Sequence, residues 1–290
     1  LKILITGANS FIGKHYIHKS RYNGIQEISL IDKNLKDIDF KGFDVIIHLA
    51  AIVHRKEKVP ENEYFKINRD LAIDTAKQAL QSGIKHFIFM STLSVYGDNR
   101  LCAQTYNEFS ECLPTNAYGK SKLEAETGLQ KMNSNEFCVS IIRTPLVIGE
   151  GVMANMHSLI SLVDKIPILP FASVSNKRSY TSIENLIEFI DLIIHKRKSG
   201  IFIASDEDPL STTELVKMIS KSLGKKLFLF KLPTIIVRIG SFLKPGISSR
   251  VFGSFVVDNS LTVKSLDYKQ VISTEESINK MVNHYKKFKN

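Results

Sequence analysis

The sequence predicts an α/β chain, a doubly wound parallel sheet followed by a smaller mixed region. Three observations carry this. Continuous apolar runs alternate with helical patterns over the first 150 residues, which is how strands covered on both faces read. A glycine-containing turn joins the first strand to the first helix. Beyond Pro145 the texture changes, and helices and short strands intermix.

The elements follow in order. Leu1–Thr6 (LKILIT) is a strand running into Gly7, and Ile12–Ser20 is a helix. Ile28–Asp32 (ISLID) is a second strand ending in an acid, and Phe43–Ala51 (FDVIIHLAA) is a buried third. Only about eleven residues separate Asp32 from Asp44, too few for a whole strand–helix unit, so one element is truncated to the stretch around Lys36–Phe40. Asn68–Gln81 reads as an amphipathic helix, Ile84–Met90 as a strand, Ala117–Met132 as a helix and Phe137–Arg143 as a strand. In the second region Met153–Val163 is a helix, Ile166–Pro170 a loop, Glu184–His195 a helix and Gly200–Ser205 a strand. Thr212–Leu223 is a helix starting from a Ser211/Thr212 cap. A boundary near residue 150 gives domains 1–150 and 151–290, the second returning in part to the sheet.

Composition bounds the function. With 290 residues, 43% apolar and 23% charged, the chain can bury about three quarters of its unfolded surface without a covalent staple. Cys102, Cys112 and Cys138 form an odd set with no CxxC pair, so they read as reduced thiols of a cytoplasmic protein, with neither disulfides nor a metal site. The first strand starts at residue 1 and no apolar run approaches 18 residues, so neither a targeting segment nor a membrane span is expected. The net charge of +10 is uneven: residues 1–216 hold 25 Lys/Arg and 25 Asp/Glu, whereas 217–290 hold 14 and 4. A basic lobe draws anions. There is no zinc-finger spacing or arginine-rich arm, so nucleic acid is not the expected partner. A phosphorylated small substrate accounts for the asymmetry.

Two segments carry chemistry. Thr6-Gly7-Ala8-Asn9-Ser10-Phe11-Ile12-Gly13 leaves the first strand and opens a helix, with glycines at the outer two of three positions and Ser10 at the middle one. Such a turn lets backbone approach a pyrophosphate seated on the helix N-terminus. Asp32, 19 residues after Gly13, is placed to accept from an adenosine ribose, which favours NAD over NADP. The second segment pairs the hydroxyls of Ser91, Thr92 and Ser94 at a strand end with Tyr118 and Lys122, which share a helix face at i and i+4. An ammonium beside a phenol lowers its pKa and makes it usable as an acid/base.

With these segments quoted, the chain resembles the extended short-chain dehydrogenase/reductase family, whose fold is Rossmann-like, and within it the nucleotide-sugar epimerases, ketoreductases and dehydratases. TGANSFIG, DVIIHLAA, FKINRDLA, FMSTLSVYG, YGKSKLEAE, IIRTPLVIGEG, NKRSYTSIENL and FVVDNSLTVKSLDY carry the resemblance over nearly the whole chain. It implies that Gly7, Phe11, Ile12 and Gly13 hold the NAD pyrophosphate, with Ser10 replacing a glycine, and that Asp32 holds the ribose. Leu49, Ala50 and Ala51 would line the nicotinamide side, and Asn68 would steady the strand ends. Thr92 would orient substrate, flanked by Ser91 on the cofactor side and Ser94 on the substrate side. Tyr118 would be the acid/base, and Lys122 would bond the nicotinamide ribose. Asn155, Arg178 and Arg250 would meet the diphosphate of a UDP-sugar in the C-terminal substrate domain. A homodimer through Leu71–Leu80 and Ala117–Met132 is also implied.

Departures from the family select the reaction. The 4,6-dehydratases follow the hydroxyl residue with an Asp-Glu pair, but Thr92 is followed by Leu93 and Ser94, which disfavours dehydration. Two readings remain, a 4-ketoreductase of a UDP-4-keto-6-deoxy-N-acetylhexosamine in surface polysaccharide synthesis and a UDP-hexose or UDP-N-acetylhexosamine 4-epimerase. Leu146 stands where hexose epimerases carry asparagine, and the chain is short for an epimerase. Both features favour the reductase.

Overall fold

The computed structural model describes residues 1–31, 33–53, 59–97, 105–172, 174–232 and 251–289. Asp32, Cys102 and Arg250 lie outside the described residues. Six strands form the central sheet: β1 (Lys2–Thr6), β2 (Gly24–Ile28), β3 (Val45–His48), β4 (His86–Thr92), β5 (Cys138–Thr144) and β6 (Gly200–Ile203). Their order is β6-β5-β4-β3-β1-β2 and every pairing is parallel. The order reverses at β1, so a crevice opens beyond the carboxyl ends of β1 and β3, where such sheets bind ligands.

Side-chain alternation assigns the faces. Ile3, Ile5, Ile47 and Ile88 point to one face, where they pack under α1 (Phe11–Lys19) and a later helix, Ile183–Lys196. Leu4, Ile46, Phe87 and Phe89 point to the other, under α2 (Leu71–Gln81) and α3 (Ala117–Gln130). A short helix, Glu61–Tyr64, and a π-helical turn, Phe65–Asp70, lead into α2, so Asn68 falls in the turn and not in the helix expected from it.

Strand β2 lies four residues earlier than the expected Ile28–Asp32. The N–H groups of Gly7 and Ala8 both donate to the Ile28 carbonyl, at 3.0 and 3.2 Å, and this closes the ladder there. As an edge strand with one partner, β2 is only partly covered: Ile25 packs on one core and Ile28 on the other, while Gln26 and Glu27 are exposed. The truncated element is a single 3₁₀ turn, Leu35–Asp37, capped by Asn34 and followed by the buried Ile38 and Phe40.

Among the described residues, the remaining helices include α4 (Ala154–Lys165), α5 (Ile183–Lys196), α6 (Thr212–Leu223), α7 (Ser260–Leu266) and α8 (Thr274–Phe288). A full capping box of Ser211 and Glu214 starts α6. A second core joins α4, α6 and α8 through Ile160, Val163, Val216, Ile219, Ile278 and Met281. Ile168–Leu169, expected as loop, instead pairs in parallel with Phe228–Leu229. The first core takes back α5 and β6 as well as Leu266 and Tyr268, so the sheet body draws on residues well past 150.

Candidate active site

The glycine turn is built for close approach. Gly7 has φ +91°, and a Cβ there would lie 2.7 Å from Ala50 N and 2.9 Å from the Leu49 carbonyl carbon. Only glycine lets the turn lie against the end of β3, and this contact brings Leu49, Ala50 and Ala51 beside it. Ser10 at the middle position is the N-cap of α1, its Oγ accepting from Gly13 N at 3.1 Å. Phe11 and Ile12, both half-buried, form the first turn of α1. That turn carries no acid, so the positive end of the helix dipole is left for an anion. The residues present fit a dinucleotide pyrophosphate. Glu27, not singled out from sequence, reaches this turn and accepts from Asn9 N at 3.1 Å.

Across the crevice, α3 presents Tyr118 and Lys122 to the end of β4. Tyr118 faces the Thr92 hydroxyl, and its ring meets Tyr64 edge-on at 6.5 Å. Lys122 is 2% exposed; its Nζ donates to the Met90 carbonyl at 2.8 Å and lies 4.3 Å from the centroid of the Phe89 ring. Burial pushes its pKa down to about 7, and Glu126 opposes that fall. The sequence leads one to expect a phenol acidified by Lys122. In the structure burial dominates and raises Tyr118, with the Thr92 hydrogen bond pulling the other way.

Asn68 is wholly buried and ties the two halves of the site together. Its amide accepts from Ile52 N at 2.8 Å, donates to Ile52 O at 3.0 Å and donates to Ser121 Oγ at 3.2 Å. Ser121 in turn donates to the Tyr118 carbonyl at 2.9 Å. The π-helical turn aims Asn68 this way, a use of such turns that recurs at functional sites. Thr92 caps the turn Leu93–Tyr96 by accepting from Ser94 N at 3.2 Å, which leaves Ser94 half-buried next to it. Ser91 points away from the crevice, its hydroxyl donating to buried Glu126. Arg143 completes that group: Nη2 donates to Glu126 Oε2 at 2.6 Å and Nη1 to Tyr96 Oη at 2.9 Å. Sequence reasoning missed Glu126 and Arg143. The available signal was Glu126 one turn beyond Lys122, with an arginine closing an apolar strand.

On the substrate side, Asn155 is exposed in the first turn of α4, a helix whose N-cap Met153 makes no side-chain bond. Ala154 just before it holds φ +56°. The half-buried Arg178 is fixed by its backbone, which exchanges two 2.9 Å hydrogen bonds with Leu210.

A parallel sheet with a glycine-turn cradle at its switch point, facing a Thr–Tyr–Lys set, defines an NAD-binding dehydrogenase/reductase. The chain belongs to the NAD dependent epimerase/dehydratase family, whose model matches residues 3–203, and it is an NAD-dependent enzyme. It is 34% identical to a UDP-glucose 4-epimerase of Vibrio cholerae, over 94% of this chain and 92% of that protein. It is 30% identical to a UDP-2-acetamido-2,6-beta-L-arabino-hexul-4-ose reductase of Pseudomonas aeruginosa, over 56% of this chain and 40% of that one. The crystal structure of a UDP-glucuronic acid 4-epimerase from Bacillus cereus in complex with NAD shares the fold, with a TM-score of 0.79, 19% identity and full coverage of both chains.

Proposed function

We propose that this enzyme oxidises or reduces C4 of a nucleotide sugar. The observation that carries the reading is the juxtaposition of Tyr118 and Thr92 at the end of β4, with Lys122 buried one helical turn away. Bound NAD supplies the hydride acceptor or donor. Tyr118 exchanges the proton of the C4 oxygen, and Thr92 holds that oxygen in line. Lys122 bonds the nicotinamide ribose, and the cradle of Gly7–Gly13 with Leu49–Ala51 holds the rest of the coenzyme. Asn155, Arg178 and Arg250 hold the diphosphate, for which guanidinium forks are suited. Leu93 is buried and apolar beside Thr92, a place where a dehydratase needs an acid.

For the overall reaction, 4-epimerisation has the broader support, because similarity to the Vibrio enzyme spans nearly the whole chain. Ketoreduction is the second reading and rests on Leu146, 41% exposed at the start of the short strand Leu146–Ile148. Incubating purified enzyme with UDP-glucose or UDP-N-acetylglucosamine, without added coenzyme, is expected to yield the C4 epimer. If NADH is instead consumed with a UDP-4-keto-6-deoxy-N-acetylhexosamine, the reductase reading holds. Turnover with neither class would overturn both.

The reading places the enzyme in the cytoplasm as a homodimer, the commonest closed assembly. Among the described residues, no helix is long and apolar enough to cross a membrane. The apolar faces of α2 and α3 turn inward through Ala72, Ala76, Ala125 and Leu129, leaving Asp74, Lys77 and Glu124 outside. A dimer formed there is polar, and its solution mass is expected to fall towards that of the 32.7 kDa monomer at high salt. A monomer at micromolar concentration and low salt excludes it.

A further inference from the structure

Three consecutive residues at the end of β4 are each held by one turn of α3. Thr92 faces Tyr118, the Met90 carbonyl accepts from Lys122, and the Ser91 hydroxyl donates to Glu126. Tyr118, Lys122 and Glu126 recur every fourth residue and so form one stripe along the helix. The first two belong to the proposed chemistry, but the third has been given no role. Glu126 is 1% exposed and is gripped from the next strand by Arg143, through Nε at 3.1 Å and Nη2 at 2.6 Å. Arg143 is also the register partner of Ser91, so both residues that hold Glu126 sit side by side across β4 and β5.

We propose that Glu126 is a positioning residue of the active site, fixing the Ser91–Thr92 strand end and keeping the buried Lys122 charged. The inference rests on the C4 redox reading. Around Lys122 lie Glu126 and Tyr118 on its own helix, the Phe89 ring on β4 and His48 on β3. Burial pushes His48 down to about 3 and raises Tyr118, so both are neutral near pH 7. Around Glu126 lie Lys122, Arg143 on β5, the Tyr96 phenol, pushed up to about 12, and the Cys112 thiol, also raised by burial. Among these groups one carboxylate faces two cations. Removing its charge takes away the carboxylate that favours the buried Lys122 ammonium, which then loses its proton at lower pH.

The test is the pH profile of kcat, whose alkaline limb reports loss of the Lys122 proton. Glu126→Gln keeps the shape and removes the charge. It is expected to move the limb down by roughly one pH unit, with turnover falling roughly tenfold near pH 8 and recovering near pH 6. Glu126→Asp keeps the charge and is expected to leave the limb in place. Should Glu126→Gln fail to fold, the Glu126→Gln/Arg143→Met variant, which removes the buried guanidinium together with the carboxylate, is expected to show a downward shift as well. A loss of turnover uniform across pH in the glutamine variants, or the same shift in the aspartate variant, would overturn the proposal. An active wild type with an unshifted glutamine profile refutes this inference alone, whereas a wild type without turnover on any nucleotide sugar refutes the reaction it rests on.

Discussion

Replacing Tyr118 by phenylalanine is expected to lower turnover by roughly 10²–10⁴-fold, the usual worth of a positioned acid/base, while folding and NAD binding persist. The substitution removes one oxygen and keeps the ring. The edge-on contact with Tyr64 at 6.5 Å and the α3 backbone, fixed by Asn116 capping Gly119 N at 2.9 Å, do not depend on that oxygen. Thr92 loses a partner but still caps Ser94 N. Lys122 keeps its bond to the Met90 carbonyl, so its side of the site stays in place. Steady-state turnover, measured beside a titration of NAD into both proteins, checks the assignment. Turnover within threefold of wild type removes Tyr118 from the chemistry, and a parallel loss of NAD binding means that the residue serves the cradle.

The parts of the site that sequence made legible are those fixed by covalent spacing. Tyr118 and Lys122 share a face because a helix repeats every 3.6 residues, and Gly7 follows a strand because the apolar run stops there. The same logic failed where partners decide. Strand β2 was misplaced because an apolar ISLI run looks more strand-like than the polar GIQEI, and only the hydrogen bonds of Gly7 and Ala8 to Ile28 show where the ladder ends. Ile168–Leu169 looks like loop because its strand partner, Phe228–Leu229, lies 60 residues away. Ser10 reads as a flawed glycine motif until its hydroxyl is seen capping α1. Ser91 reads as one hydroxyl of a cluster, but the strand's alternation turns it from the crevice towards Glu126 while Thr92 stays at the site. The acidity of Tyr118 is not legible in the sequence for a related reason. Spacing puts Lys122 on its face, but burial decides the direction of its pKa.

Arg143 carries the largest expected effect on stability. It is 3% exposed at the end of a wholly buried strand and pairs with Glu126, itself 1% exposed, while also donating to the Tyr96 hydroxyl. Two charges removed from water gain little net stability as a pair, but removing one leaves the other buried and unpaired. Arg143→Met is therefore expected to cost about 3–5 kcal/mol in unfolding free energy, a large share of the 5–15 kcal/mol typical of a domain. Ser91 remains as a donor to Glu126 and the Lys122 charge remains near it, which together hold the loss towards the lower end. The companion variant Arg143→Met/Glu126→Leu removes both charges and fills the space with apolar atoms, so most of the lost stability is expected to return, less the bond that Ser91 forfeits. Denaturant unfolding of wild type, the single variant and the double variant gives both differences. A single-variant loss below about 1 kcal/mol, the range of an exposed pair, would mean that water reaches Glu126. A double variant no more stable than the single one would mean that Arg143 contributes through packing and its bond to Tyr96, with the unpaired carboxylate costing nothing further.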